Sequence, residues 1–409
     1  MVAGLAASES IVNPDKMFAD NGIEMVVDRV EDIDTAQKQV KTAGGKAIPY
    51  DKLVLSMGSK PFVPPIPGGD LDGVVTLRSL SDAENIRSYL NTHDPVRLVF
   101  VGAGFISLEV AALLKQVKDK AYEIEVVELM DYPLPLMMDP ELGQTIYGHL
   151  EDSGFNLRMG QKVSKIIGQD GRVSAVELDS GERVDADMVF MNVGARPNLA
   201  LAEQMGLEMG QYGIKVNQFL ETSDPDVLAA GDCIENYHFL TQKPVPIQLR
   251  GPAVIQGRLL AKRLAGYDIP FPGLLGSSAV KLFNKYIAAT GFNEIQARQE
   301  GFDPVSATVQ SGSKHAMIPG MQPWTLKLVF DRNSQKLIGG QIISDSDAPV
   351  KEIDAVNALI VGGQTISDLV TLMCAGNPDC SSEPSKEPIT IAAEQALQQV
   401  QPASSVRGV

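Results

Sequence analysis

The sequence predicts an α/β protein in which two doubly wound units stand in tandem and a separate α+β domain follows. Three observations predict it. Strands and helices alternate through the middle of the chain, as they do where crossover helices cover a parallel sheet. An eleven-residue pattern occurs twice. Beyond about residue 274 strands come first and helices afterwards, the order of an α+β domain. At about 100–200 residues per domain, 409 residues leave room for two to four units.

Taken in order, 97–101 is a short β-branched run that ends in glycines, and 105–117 has helical periodicity. A second strand is expected at 123–128. Asp139 then stands at the N-cap and Pro140 at the first position of a helix that runs to Gly154. Residues 173–178, the Asp179-Ser180-Gly181 turn and Val184 read as a hairpin, and 188–193 as a buried strand. In the last part, strands are expected at 279–283, 286–290, 325–330 and 337–344, and helices near 350–361 and 366–373. Residues 398–409 are polar and expected to fray. The apolar helix stripes and Trp324 read as core.

The repeat pairs Asp51-Lys-Leu-Val-Leu-Ser-Met-Gly58-Ser-Lys-Pro61 with Asp187-Met-Val-Phe-Met-Asn-Val-Gly194-Ala-Arg-Pro197. Asp, Gly and Pro share the same offsets around an apolar strand, which points to two related nucleotide-binding domains. Between the copies, Gly102-Ala103-Gly104-Phe105-Ile106-Ser107 follows a strand and opens a helix. It approximates Gly-x-Gly-x-x-Gly, with serine at a third position that only has to be small. The first glycine permits the turn, and the second admits a pyrophosphate to the helix N-terminus. Glu128 closes the next strand, 21 residues after Ser107, where a carboxylate accepts hydrogen bonds from ribose hydroxyls. At about 4 Å and an effective dielectric near 20, it would oppose a 2′-phosphate by at most about 4 kcal/mol. NADH is therefore expected in preference to NADPH.

Composition narrows the class. With 44% hydrophobic and 21% charged residues the chain is globular. Acidic residues outnumber basic ones, 51 to 35, for a net charge of −16 and a pI near 4.8. That surface repels phosphate backbones and anionic lipid, so neither nucleic acid nor membrane is an expected partner. The apolar stretch 98–114 contains Glu109 and the glycine turn, so it divides into strand and helix rather than spanning a bilayer. Cys233, Cys374 and Cys380 are too few for a disulfide framework, and the N-terminus lacks the pattern of a secretory signal. A cytoplasmic protein is expected. No metal site is read, because five residues between Cys374 and Cys380 fit no common zinc spacing, and His93, His149 and His238 stand alone.

These motifs resemble the pyridine nucleotide-disulfide oxidoreductases, in the branch of NADH oxidases, NADH peroxidases and coenzyme A disulfide reductases. Residues 50–61, with Val63-Pro64-Pro65-Ile66-Pro67-Gly68, resemble that family's crossover out of its FAD domain. Thr222-Ser-Asp-Pro-Asp-Val-Leu-Ala-Ala-Gly231-Asp232 is similar to its second FAD motif, and Gly251-Pro-Ala with Gln256-Gly-Arg is similar to the helix behind the flavin. The resemblance implies FAD contacts at Val30, Ser56, Met57, Gly58, Gly231, Asp232, Leu249 and Gly251. It implies NAD contacts at Gly102, Ala103, Gly104, Phe105, Ile106, Glu109, Glu128 and Gly194. Read without the resemblance, Asp232 is equally a ligand carboxylate or a helix N-cap. The implied organisation is an FAD domain over 1–90 and 199–272, an NAD domain over 91–198, and a dimerisation domain over 273–397, giving a homodimer.

The chain also departs from the family. Gly194 follows Gly102 by 92 residues, and the same interval before Gly58 lies ahead of Met1. The first FAD phosphate loop is therefore expected to be missing, together with the family's redox cysteine, since no cysteine precedes Cys233. Coenzyme A disulfide reductases carry tyrosines in two segments that here read His315-Ala-Met-Ile-Pro-Gly320 and Cys374-Ala-Gly-Asn-Pro-Asp-Cys380-Ser-Ser. Neither contains tyrosine, and Asn377 precedes Pro378 where disulfide reductases place a catalytic histidine. Cys374 and Cys380 read as idle thiols rather than a redox pair. The expected activity is hydride transfer from NADH to FAD, and onward to oxygen, peroxide, a disulfide or persulfide, or a small redox protein. A second reading, favoured by the missing loop, is a non-catalytic NADH-binding regulatory or assembly module without FAD.

Overall fold

The structure, a computed structural model, describes residues 2–4, 7, 10–94 and 96–401. They form two compact units, one from 1–63, 76–92 and 193–274, the other from 64–75, 93–192 and 275–409.

In the first unit, Val30–Asp34, Gln39–Thr42 and Ala47–Pro49 make an antiparallel sheet. Leu53–Leu55 pairs in parallel with Val227–Ala229. Leu55, Ile214, Leu228 and Leu260 are buried around that pair. The repeat has a direct structural counterpart here. Each copy bends at its glycine, Gly58 at φ +64° and Gly194 at φ +134°, and then forms a three-residue strand. Those strands, Ser59–Pro61 and Ala195–Pro197, pair antiparallel with each other. Phe62 N–H donates to the Gly194 carbonyl and Asn198 N–H to the Gly58 carbonyl, both at 2.9 Å, so the ribbon has a local twofold relation.

In the second unit, a five-stranded parallel sheet runs in the order Val74–Val75, Met188–Met191, Arg97–Val101, Glu123–Val127, Phe155–Arg158. Central strands buried on both faces are continuously apolar, and Phe100 stacks on Phe190 at 4.3 Å. Helices Phe105–Lys115 and Pro140–Asp152 are the crossovers, and Val163–Gln169, Arg172–Leu178 and Arg183–Asp185 make a small antiparallel sheet.

The C-terminal segment of this unit is a five-stranded antiparallel sheet, ordered Ser278–Leu282, Lys285–Gly291, Leu337–Ser344, Pro323–Asp331, Pro304–Gly312. The last of these was not expected. It begins with proline and lies at the sheet edge, yet Val305, Ala307 and Val309 alternate with polar residues and are buried. Helices Glu294–Gln299 and Pro388–Val400 were also missed. The fraying expected from residue 398 does not hold for 398–400, since the helix continues to Val400 and Gln399 Nε2 donates to the Ser306 carbonyl at 2.8 Å. Its stripe of Ile389, Ala392, Ala393 and Ala396 is buried. Residues 402–409 of that expectation lie outside the described residues.

Asp139 departs from its expected part. It stands at the N-cap of helix Pro140–Asp152, yet its side chain makes no capping bond there. Instead it is buried and accepts from Gln341 Nε2 at 2.6 Å and from the Glu294 N–H at 2.9 Å. The reason is Lys327, whose side chain is only 2% exposed. Its ammonium lies 2.9 Å from Asp139 Oδ2 and 2.8 Å from Glu294 Oε1, and it also pairs with Glu141. A buried ammonium needs charged partners, and Asp139 supplies one. Burial alone would lower the Lys327 pKa, but the three carboxylates raise it.

Although burial opposes ionisation of Glu294, Lys327, Ser306 and Arg298 pull its carboxyl pKa down to about 2. Its stabilising contribution should therefore be complete above the ordinary value of 4.5 and disappear as pH falls towards about 2. Equilibrium unfolding across that range should show stability falling with acid, and Glu294→Gln should flatten that part of the curve.

Candidate functional site

The dinucleotide motif sits where the parallel sheet reverses its order. From Arg97–Val101 the chain steps to Glu123–Val127 on one side, and Met188–Met191 fills the other. Such a switch point leaves a crevice at the carboxyl ends of the strands. Gly102 takes φ +92°, a conformation that suits glycine, and its N–H donates to the Val127 carbonyl at 2.8 Å. Gly104 is the N-cap of helix Phe105–Lys115, with no side-chain capping bond. A Cβ built on Gly104 would meet nothing within 4 Å, so this helix end has open space above it. That is a cradle for an anion. Ser107, at the third glycine position, is buried, and its hydroxyl has no partner among the described residues.

Glu128 is already oriented. One carboxylate oxygen accepts the Ala103 N–H at 2.7 Å and the other accepts the Met130 N–H at 2.9 Å. An ionised carboxylate offers about four lone-pair sites, so about two remain for hydroxyl donors. Phe105 is half-buried and Ile106 exposed on the first turn of the helix. Glu109 keeps contact with solvent, while the protein packed around it raises its carboxyl pKa by partial desolvation. Gly194 belongs to the other unit.

Residues 130–138 are hydrogen-bonded to this turn. Leu134 N–H donates to the Ala103 carbonyl at 3.0 Å. Leu134 is buried and lies at φ +57°. A non-glycine residue there costs about 1–3 kcal/mol, and its surroundings must hold it. Sequence reasoning missed this loop, whose only local signal is the pair of prolines around Leu134.

The second group of expected residues gathers in the first unit. Gly231, at φ +82°, opens a short 3-10 helix, Gly231–Cys233, and its N–H donates to Gln256 Oε1 at 2.8 Å. Buried Gln256 in turn donates to Asn236 Oδ1 at 2.7 Å. Asp232 is not an N-cap: that position is Ala230, and the Asp232 carboxylate instead accepts from Ser59 Oγ at 2.9 Å and the Arg78 guanidinium at 2.7 Å. Arg78 gives no local signal in the sequence. A Cβ on Gly231 would lie 3.7 Å from Ser56 Oγ and 3.7 Å from Ala253, so Ser56 and helix Arg250–Leu264 flank the turn. Leu249 is the N-cap of that helix, without a side-chain bond, and Gly251 has open space where a Cβ would stand. Met57 accepts Asn198 Nδ2 through its carbonyl, while Val30 opens the antiparallel sheet.

The carboxylate, the small residues and the uncapped helix end fit the hydroxylated chain of a flavin nucleotide. Gly4, Gly22, Gly44 and Gly45, the glycines before Gly58, have no Gly-x-Gly spacing that would fit its diphosphate. Cys233 is buried, its thiol directed at the Ala230 carbonyl at 3.3 Å, and burial raises its pKa. Cys374 and Cys380 are exposed free thiols. Their segment meets the other implied C-terminal segment, since His315 N–H donates to the Pro378 carbonyl at 2.9 Å and Lys314 pairs with Asp379 at 2.8 Å. Asp139, Glu141 and Glu294 are close enough together to hold a cation, and the Lys327 ammonium already pairs with all three. Among the described residues no helix is long and apolar enough to cross a membrane.

Comparison with known proteins agrees with this geometry. Residues 4–254 match the family model for pyridine nucleotide-disulphide oxidoreductases, and residues 277–388 match that family's dimerisation domain. Because the first match begins at residue 4, it lends no support to the expected loss of a leading FAD unit. The chain is 31% identical to an NADH oxidase of Methanocaldococcus jannaschii over 375 residues, covering 91% of this chain and 82% of that protein. It is 33% identical to a CoA-dependent NAD(P)H sulfur oxidoreductase of Pyrococcus abyssi, covering 90% and 82%. An NAD-dependent persulfide reductase from A. fulgidus superimposes with a TM-score of 0.90 at 31% identity, covering 97% of this chain and 75% of that one. These matches set aside the reading as a non-catalytic module. The chain belongs to the pyridine nucleotide-disulphide oxidoreductase family, as an FAD-dependent NAD(P)H oxidoreductase with that family's dimerisation domain.

Proposed function

We propose that this protein is a cytoplasmic, homodimeric NADH:acceptor reductase, with NADH bound over 91–198, FAD over 1–90 and 199–272, and the dimer formed by 273–397. The observation that carries the reading is Glu128, whose carboxylate is held by the Ala103 and Met130 amides beside the dinucleotide turn. An acceptor-only carboxylate there takes hydrogen bonds from the 2′- and 3′-hydroxyls of NADH and opposes the 2′-phosphate of NADPH. Leu129, Met130 and Asp131 follow it and supply no cation to offset that repulsion. The uncapped start of helix Phe105–Lys115 receives the pyrophosphate.

When bound, FAD would supply redox chemistry: a ring able to take up a hydride and give up an electron pair. The chain's part is to hold and orient it. Asp232 would accept from the ribityl hydroxyls, while Arg78 and Ser59 hold that carboxylate in place. The overall reaction is NADH + H⁺ + acceptor → NAD⁺ + reduced acceptor. Relatives named as an NADH oxidase, a CoA-dependent sulfur oxidoreductase and a persulfide reductase support oxygen and persulfide-type acceptors alike; peroxide or a disulfide fits the same two-electron count, and a one-electron redox protein would take two equivalents per NADH.

Steady-state kinetics with the two nicotinamides test the proposal. NADH should exceed NADPH in kcat/KM by about 30-fold or more. Glu128→Ala should raise the KM for NADH by about 10-fold and narrow that ratio, since a hydrogen bond to a charged group is worth about 1.5–3 kcal/mol. A wild-type preference for NADPH would refute the assignment. Asp232→Ala should lower the flavin retained per chain on purification by about 10-fold, read from absorbance, and full retention would remove Asp232 from the FAD site.

A further inference from the structure

Ala103, in the middle of the dinucleotide turn, is held by both of its backbone polar groups. Its N–H goes to Glu128 and its carbonyl receives the Leu134 N–H. The loop after Glu128 therefore fixes the turn from one side and the carboxylate from the other, because Met130 N–H also bonds Glu128. What fixes the loop lies in the C-terminal segment of the same unit. Asn293 Nδ2 donates to the carbonyls of Pro135 at 3.3 Å and Met138 at 3.4 Å, on either side of the turn. Gln296 Nε2 donates to the Leu136 carbonyl at 3.3 Å. At the loop's end, Asp139 is locked to Lys327 and Gln341.

We propose that Asn293 and Lys327 are positioning residues for the NADH site. They hold residues 130–138, and through Leu134 and Met130 that loop holds Ala103 and Glu128 in the geometry that receives the cofactor. The proposal rests on NADH seating at Gly102–Glu128. Neither residue needs to touch NADH. Asn293 supplies two donors to a loop whose left-handed Leu134 relaxes once its tethers are cut, and Lys327 anchors the loop's end.

The test uses the full-length protein with Asn293→Ala, Lys327→Met and Glu128→Ala. NADH affinity is measured by calorimetry, loop protection by amide hydrogen exchange, and turnover by initial rates. Asn293→Ala should raise the NADH Kd and KM by about five- to tenfold through loss of two hydrogen bonds. Its kcat at saturating NADH and its flavin content should stay within about twofold of wild type, with faster exchange across 130–138. Lys327→Met should weaken NADH at least as much, and if it fails to fold, Asn293→Ala decides alone. A role in stability only would lower the melting temperature of Asn293→Ala and leave the Kd within about twofold, which overturns the proposal. If Glu128→Ala weakens NADH while Asn293→Ala does not, the positioning role falls and the site stands. If neither weakens it, the site itself is misassigned.

Discussion

One desolvated ammonium organises the second unit. Lys327 springs from the middle of an antiparallel strand, and its charge could not stay buried without partners. The partners come from two places: Asp139 and Glu141 at the start of a crossover helix, and Glu294 at the start of helix Glu294–Gln299. This requirement takes Asp139 away from its own helix and gives its carboxylate to the Glu294 N–H and to Gln341. The parallel sheet and the antiparallel sheet of this unit are thereby joined by charge. Removing Lys327 would leave the buried Asp139 carboxylate without its cation, which costs far more than loss of a surface ion pair.

The same economy of fixed carboxylates appears at both candidate cofactor positions. Glu128 is turned by two backbone amides, and Asp232 by a guanidinium and a hydroxyl. Each keeps acceptor capacity for hydroxyl donors, and each stands beside a glycine at positive φ, Gly102 or Gly231. A ligand hydroxyl thus meets an acceptor whose orientation the fold has already set, which lowers the ordering cost of binding.

Much of this was legible in the sequence, because local rules govern it. The strand–glycine–helix order around Gly102 and the spacing to Glu128 follow from backbone geometry, and the structure places both at a sheet switch point. The repeat announced two strand–turn units, though not that their ends pair with each other through Phe62 and Asn198. What escaped depends on contacts distant in sequence. Arg78 pairs with Asp232 from 154 residues away, and Lys327 reaches Glu141 from 186 away. Asp139 carried a strong N-cap signal that a buried ammonium overrode. Both the strand Pro304–Gly312, through its alternating Val305, Ala307 and Val309, and helix Glu294–Gln299, through its capping box of Asn293 and Gln296, carried a readable signal.

The central claim, that this chain passes hydride from NADH through a flavin, is tested most directly by anaerobic titration of the purified protein with NADH, followed through flavin absorbance. The expected result is yellow protein that bleaches with stoichiometric NADH and recovers its colour when an acceptor is admitted. Colourless protein that binds NADH without any redox change, or bound flavin that NADH leaves oxidised, would contradict it.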